Sequence, residues 1–336
     1  MSLTPTKEGT PPVARDTATG GSASRTKRSD SKFPTKTPTP LTTRQRLSRF
    51  VDRHVLGIYV APAVAFISLV MIFPVVFTLF LSFTEWFGSA RTPPKFVGID
   101  NFVQLFQDER FLLATGRTIL LTAGAVTAQT IIGVGLAVLL HRQFVLRGLV
   151  RSIVLLPMIA TPVAIALIWR LMFHPQLGIL NDILTRIGFA PSDWLADPNL
   201  ALLLVGVVDT WEWAPLIALI TLAGLAALPE DPFEAASIDG ANGWQKFWHV
   251  TLPMVRPIVV VAVVFRLIES LKTFDVIFVM TQGGPGFQTE TLNIYAYNVA
   301  FQYQRLGYSA ALLIVFFLLV LLISSSMMKL RRPKEK

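Results

Sequence analysis

Apolar positions along this chain gather into six runs of membrane length, at 57–83, 118–140, 152–173, 200–228, 257–280 and 308–328. The first carries no charge and is long enough to cross a bilayer with some tilt. The fourth is interrupted by Asp209 and Glu212, and the fifth carries Arg266, Glu269, Lys272 and Asp275. Hydrocarbon offers no partner to an open backbone N–H or C=O, so each run is expected to be a helix. The pattern predicts an all-α membrane protein with six transmembrane helices. No internal repeat is visible.

The polar stretches set the domain plan. Residues 1–50 are rich in Ser, Thr, Pro, Lys and Arg and hold few large apolar side chains. Such a segment cannot bury enough surface to offset its ordering entropy, and it reads as a disordered basic tail. It does not read as a signal peptide, because the first apolar run starts only near Gly57. Residues 51–330 form the transmembrane domain, with a polar loop at 228–257 inside it. Orientation follows from Lys and Arg. Arg44, Arg46, Arg49 and Arg53 precede the first run, Arg142, Arg147 and Arg151 follow the second, and Lys329, Arg331, Arg332, Lys334 and Lys336 follow the sixth. With six crossings these segments share one side, so both termini and the 228–257 loop are expected in the cytoplasm. Arg91, Lys95, Arg110 and Arg117 fall on the other side and oppose this assignment.

Composition narrows the function. The chain is 52% apolar and 15% charged, which points to a membrane rather than a large soluble core. It has no cysteine, so disulfides and thiolate metal sites are excluded. Its four histidines are far apart, without metal-ligand spacing. The net charge of +9 resides in the two tails and leaves the middle slightly acidic, so no basic groove for nucleic acid is expected. The chain also lacks a G-x-x-x-x-G-K-[ST] phosphate loop. The glycine cluster Gln282–Gln288 reads as an extracytoplasmic turn.

The 228–257 loop is neither apolar enough to span nor polar enough to idle. Residues 233–239 can make about two helical turns, Gly240 and Gly243 interrupt them, and residues 244–250 can make two more. Trp244, Phe247 and Trp248 then share a face at i, i+3 and i+4. Helices this short are marginal alone in water, so that face needs a burial site. Headgroups, a soluble cytoplasmic partner or the neighbouring spans would each serve.

Here the residues carry a resemblance. Glu234-Ala235-Ala236, three residues, Gly240, nine residues, then Val250-Thr251-Leu252-Pro253 resembles the EAA motif of membrane subunits of binding-protein-dependent ABC importers. Val250 stands where the pattern usually has Ile. The stretches at 97–106, 155–173 and 274–286 resemble the carbohydrate-uptake branch, of the maltose, trehalose and multiple-sugar type. The resemblance covers about residues 55–330. It implies the type I importer permease fold in the cytoplasmic (inner) membrane of a bacterium. It also implies that Glu234, Ala235, Ala236, Asp239, Gly240, Leu252 and Pro253 couple the chain to a cytoplasmic ATPase dimer. The further partners it implies are a second homologous permease subunit, an extracytoplasmic solute-binding protein and membrane lipid, with no nucleic acid. The chain would be no enzyme and hold no cofactor, ATP and Mg being bound by the partner ATPase.

Charges inside spans should face a partner or a cavity. Arg266 and Glu269 are expected as an ion pair. Asp209, Trp211, Glu212 and Trp213 cluster in mid-span beside Pro215, and aromatic faces next to carboxylates suit the C–H faces and hydroxyls of a sugar. Trp169, Asp209, Trp211, Glu212, Trp213 and Glu269 are therefore substrate-path candidates, with helix packing as the competing reading. The expected activity is ATP-driven import of a sugar or sugar-like solute by alternating access. A glycerol-3-phosphate or polyol permease is the first alternative, favoured if Arg266 faces the cavity. An ion-coupled secondary transporter is the second.

Overall fold

A computed structural model describes residues 43–88 and 91–330. Its chain divides at Val64/Ala65, inside the first helix. That helix, α1 (Thr43–Ser82), starts ahead of the expected boundary, so 43–50 are helical; a long apolar helix extends readily into such a flank once nucleated. The rest of the expected tail, and the basic residues from Arg331 on, lie outside the described residues. Beyond α1 a two-stranded hairpin pairs β1 (Thr84–Glu85) with β2 (Lys95–Phe96), Thr84 opposite Phe96.

The second unit is helical. After α2 (Asp100–Gln107) come α3 (Glu109–His141), α4 (Arg147–Leu155), α5 (Pro162–Met172), α6 (Ile179–Arg186) and α7 (Ala201–Ala226). These are followed by α8 (Asp231–Ile238), α9 (Gly243–Lys246), α10 (Leu252–Leu271), α11 (Asp275–Met280), α12 (Leu292–Tyr297) and α13 (Leu306–Leu330). Among the described residues five helical stretches are long and apolar enough to cross a membrane: Tyr59–Ser82, Glu109–His141, Ala201–Ala226, Gly243–Leu271 and Leu306–Met327.

The run expected as a third crossing is not one helix. α4 stops before Pro157, a 3-10 turn covers Pro157–Ile159, and Thr161 is extended ahead of Pro162, which opens α5. Proline disfavours the α conformation at the residue before it, as at Thr161, yet fits the first turn of a new helix. At 11 residues, α5 is about 16 Å long, roughly half the hydrocarbon thickness. The fifth run is also divided. α10 closes with short i to i−3 bonds, Lys272 N to Glu269 O at 3.1 Å and Thr273 N to Ser270 O at 3.2 Å, and Asp275 opens α11. The four charges expected on one helix therefore lie on two elements.

α7 is the most buried of the spans and sits at the centre. Two glycines permit the close contacts. A Cβ at Gly133 of α3 would meet Ile217 Cβ at 2.8 Å and Ala214 O at 2.9 Å, and one at Gly224 of α7 would meet Ile258 Cδ1 of α10 at 2.6 Å. Small residues at helix contacts are how backbones approach in a membrane, where dispersion replaces the hydrophobic drive. α3 and α7 run parallel. Leu121 packs with Leu204 and Val205 at one end, and Val134 and Ala137 with Leu222 and Leu225 at the other. Val255 and Val259 of α10 join the second cluster, with Val150 and Val154 of α4 against it. Phe173 lies in the first, so the α4–α5 stretch carries the chain from one end to the other.

Candidate functional site

The 228–257 loop forms two helices around a sharp bend. α8 carries Pro232 in its first turn and ends in a left-handed glycine, Gly240 at φ +77. Asp239 N donates to Ala235 O at 3.0 Å and Ala241 N to Ala236 O at 2.9 Å, so the terminal carbonyls are met as at a glycine-capped helix end. A capping box starts the second helix: Gln245 N donates to Asn242 Oδ1 at 2.9 Å, and Asn242 N to Gln245 Oε1 at 2.8 Å. Lys246 Nζ donates to Ser237 Oγ at 2.6 Å and ties the two helices together. A π-helical turn, Phe247–Thr251, joins α9 to α10 without a break. Leu252 and Pro253 open α10, so α9 and the membrane helix form one continuous rod.

The aromatic trio is assembled as the spacing requires, with ring centroids 6.2 Å (Trp244–Phe247), 5.6 Å (Trp244–Trp248) and 5.3 Å (Phe247–Trp248) apart. Phe247 packs against the span cluster that contains Leu225 and Val255. Trp244 and Trp248 stay 71% and 47% exposed, and Ile238 87%. Glu234, Ala235 and Asp239 are exposed on the same segment. The neighbouring spans thus take one ring of three and leave an apolar knob outside.

Mid-span, the structure corrects the expected ion pair. Arg266 of α10 pairs with Asp209 of α7, its Nη2 at 2.6 and 2.7 Å from the two carboxylate oxygens, and not with Glu269. Glu269 pairs instead with Lys272 at 2.9 Å on the exposed side of α10. Gln129 of α3 closes a triangle: Arg266 Nε donates to its Oε1 at 2.9 Å, while its Nε2 donates to Asp209 Oδ2 at 2.8 Å and Asp209 O at 3.1 Å. The guanidinium also lies 4.9 Å from the Trp213 ring centroid. All three polar side chains are buried, so Asp209 and Arg266 pin α3, α7 and α10 together and offer nothing to a solute in this conformation. Sequence reading missed Gln129; its signal was a lone amide in an apolar run.

The other candidates separate. Glu212 is fully buried, and neither carboxylate oxygen has a hydrogen-bond partner among the described residues. Trp169 stacks on Phe173 at 5.4 Å and meets Trp211 edge-on at 5.6 Å. Trp211 also lines a cavity of about 850 Å³ between α3, α4 and α7. Its other walls are largely Leu, Ile, Ala and Gly, which lack the hydrogen-bonding groups that sugar hydroxyls need.

At the opposite end from the bend, a second polar lock holds the head of α3. Arg110 clamps Glu290 with bonds of 2.6 and 2.7 Å and lies 3.9 Å from the Phe287 ring centroid. Asn298 adds a third bond to Glu290, at 2.9 Å. Asp108 caps α3 and accepts from the hydroxyls of Tyr295 and Tyr308. Burial raises its carboxyl, but these two bonds and those from the Arg110 and Phe111 amides outweigh it and hold the group below the ordinary 3.8. Burial and the bond to Asp108 push Tyr295 above its usual value. The glycine cluster expected as a turn is one, closed by Thr289 N to Gly283 O at 3.2 Å and based on Glu290.

A helical bundle pinned by buried polar groups, with an exposed bent rod at one end, defines a multi-pass membrane subunit built to engage something outside itself. Residues 129–335 match the family described as "Binding-protein-dependent transport system inner membrane component", and the chain belongs to that family. It is 36% identical to the sulfoquinovosyl glycerol transport system permease protein SmoG of Agrobacterium fabrum, over 78% of this chain and 85% of that protein. It is 34% identical to the trehalose/maltose transport system permease protein MalF of Thermococcus litoralis, over 74% of this chain and 82% of that one. Its fold matches a chain of a bacterial alginate ABC transporter crystallised with an alginate pentasaccharide-bound periplasmic protein, at a TM-score of 0.74 and 24% identity, covering 85% of this chain and 97% of that one. The chain is a transport subunit of the inner membrane and not an enzyme; ATP hydrolysis belongs to a partner.

Proposed function

We propose that this chain is the permease subunit of an ATP-driven importer of a sugar or sugar-like solute, working by alternating access. The observation that carries the reading is the bent, exposed EAA segment, continuous with a membrane helix and presenting two uncovered tryptophans. A cytoplasmic ATPase dimer that binds ATP and Mg takes up this segment, with Glu234, Ala235, Ala236, Asp239 and Gly240 at its surface and Leu252-Pro253 at the foot of the lever. A second permease chain and an extracytoplasmic binding protein complete the assembly. The sugar class is supported by the names of the two relatives. The chain crosses six times with both termini in the cytoplasm, the α4–α5 stretch making the third crossing in two pieces. The parallel course of α3 and α7 supports this. The phosphorylated-solute alternative loses its cation, because Arg266 is closed off by Asp209.

The test is uptake of labelled sugars into proteoliposomes holding the full transporter and its binding protein. Import is expected to require ATP inside and to vanish in Glu234→Lys with membrane insertion intact. Import that persists without ATP under an imposed proton gradient would sink the reading.

A further inference from the structure

The stretch between α5 and α7 contains a feature that coupling and transport leave unused. α6 (Ile179–Arg186) is amphipathic in an uncommon sense, because its apolar side is divided between the protein and the outside. Leu180 packs on the α5–α7–α11 core. Ile179, Ile183 and Ile187, each four positions after the last, form a stripe about 80° wide that is left exposed among the described residues. Ile179 is 54% exposed and Ile187 63%, with Leu177 and Phe189 exposed beside them. Asp182 and Arg186 form an i, i+4 ion pair at 3.0 Å on the flank away from Leu180.

The level of this helix is fixed. Asn181, buried, donates to Pro175 O and Ser192 O at 2.8 Å each and accepts from Ser192 N at 3.0 Å and Trp194 Nε1 at 2.7 Å. Trp194 in turn packs on Phe173, at the end of α5, at 5.5 Å. α6 is thus held just past the last turn of α5 and just ahead of α7. That is the end of the bundle opposite the EAA segment, which follows the far end of α7. The exposed faces of α5 lead up to it through Ile168 and Leu171.

We propose that α6 is an interfacial helix, lying in the plane of the membrane with its isoleucine stripe in the acyl–headgroup boundary of the leaflet at that end. The occupant is lipid because the stripe continues the apolar flank of a membrane-embedded helix and sits at the span end. An apolar face about 5–10 Å into the boundary, with an ion pair beside it at the headgroups, is the geometry such helices adopt. Asn181 and Trp194 set its depth. This assignment rests on membrane embedding alone and is independent of the solute.

The chain has no cysteine, so single-cysteine variants can be labelled cleanly. Nitroxides would be placed at Ile183→Cys, Ile187→Cys, Asp182→Cys and Thr185→Cys. The full transporter, with cysteine-free partner subunits, would be held in phosphatidylethanolamine/phosphatidylglycerol nanodiscs. Labels at 183 and 187 are expected to collide with dissolved oxygen and be shielded from a water-soluble nickel chelate, with the ratio inverted at 182 and 185. Equal access of the chelate to all four sites overturns the proposal, since the stripe would face water. Shielding of 183 and 187 from both reagents also overturns it, since a protein surface would then cover them.

Discussion

Asp209 lies in mid-span with its charge closed off by an arginine and an amide from two other helices. Removing one member leaves the others buried without a partner, which is where the large cost of such networks arises. Asp209→Ala is expected to destabilise the bundle by about 3–5 kcal/mol. Asp209→Leu combined with Arg266→Met should recover much of that loss. A thermal-unfolding double-mutant cycle in detergent measures the coupling, and additive losses would contradict the pairing. Glu212 differs, because its carboxyl has no hydrogen-bond partner to lose among the described residues. Glu212→Gln keeps the shape and removes an ionisable group from the interior, so the melting temperature should hold or rise; a clear drop would show that the acid has a necessary partner. Asp108 adds a pH dependence. Its folded carboxyl titrates below the ordinary value, so its stabilisation is complete above that value and fades as pH falls through the lowered one. Asp108→Asn should lower stability at neutral pH and flatten the acid side of the stability profile, read by hydrogen exchange at the α3 and α13 heads.

Among the elements, the bend at Gly240 depends on backbone and not on space. A Cβ there would touch nothing within 4 Å, but φ is +77. Gly240→Ala should cost about 1–2 kcal/mol locally from the left-handed conformation alone. The expected readout is weaker ATPase association with an unchanged bundle melting temperature. Trp244→Ser and Trp248→Ser should behave alike, since both rings are largely outside the chain's own packing. A lower melting temperature with intact ATPase binding would instead make the trio part of the core. The broken third crossing was legible in part, because Pro157 and Pro162 stand in the sequence. Reading them as a break instead of a kink needed the extended backbone at Ala160 and Thr161.

For the molecule as a whole, the parallel course of α3 and α7 places Arg142, Arg147, Arg151 and the EAA segment toward one end, and α6 with the Arg110–Glu290 lock at the other. Single cysteines at Ile238 and Leu177, both highly exposed, should be labelled from opposite sides of sealed vesicles. Labelling of both from the same side would overturn the six-crossing path.

By itself the sequence determined the class of the fold, the positions of the long helices and the bent segment with its aromatic face. Those depend on local quantities: runs of apolar residues, the spacing of three rings, and glycine where the chain must turn left-handed. Only the tertiary structure decided which charges meet. Arg266 and Glu269 are adjacent on one helix, yet Arg266 turns to Asp209 and Gln129, positions 57 and 137 residues away. The pairing of a buried charge is fixed by which helices pack side by side, and the spacing within one helix does not encode that.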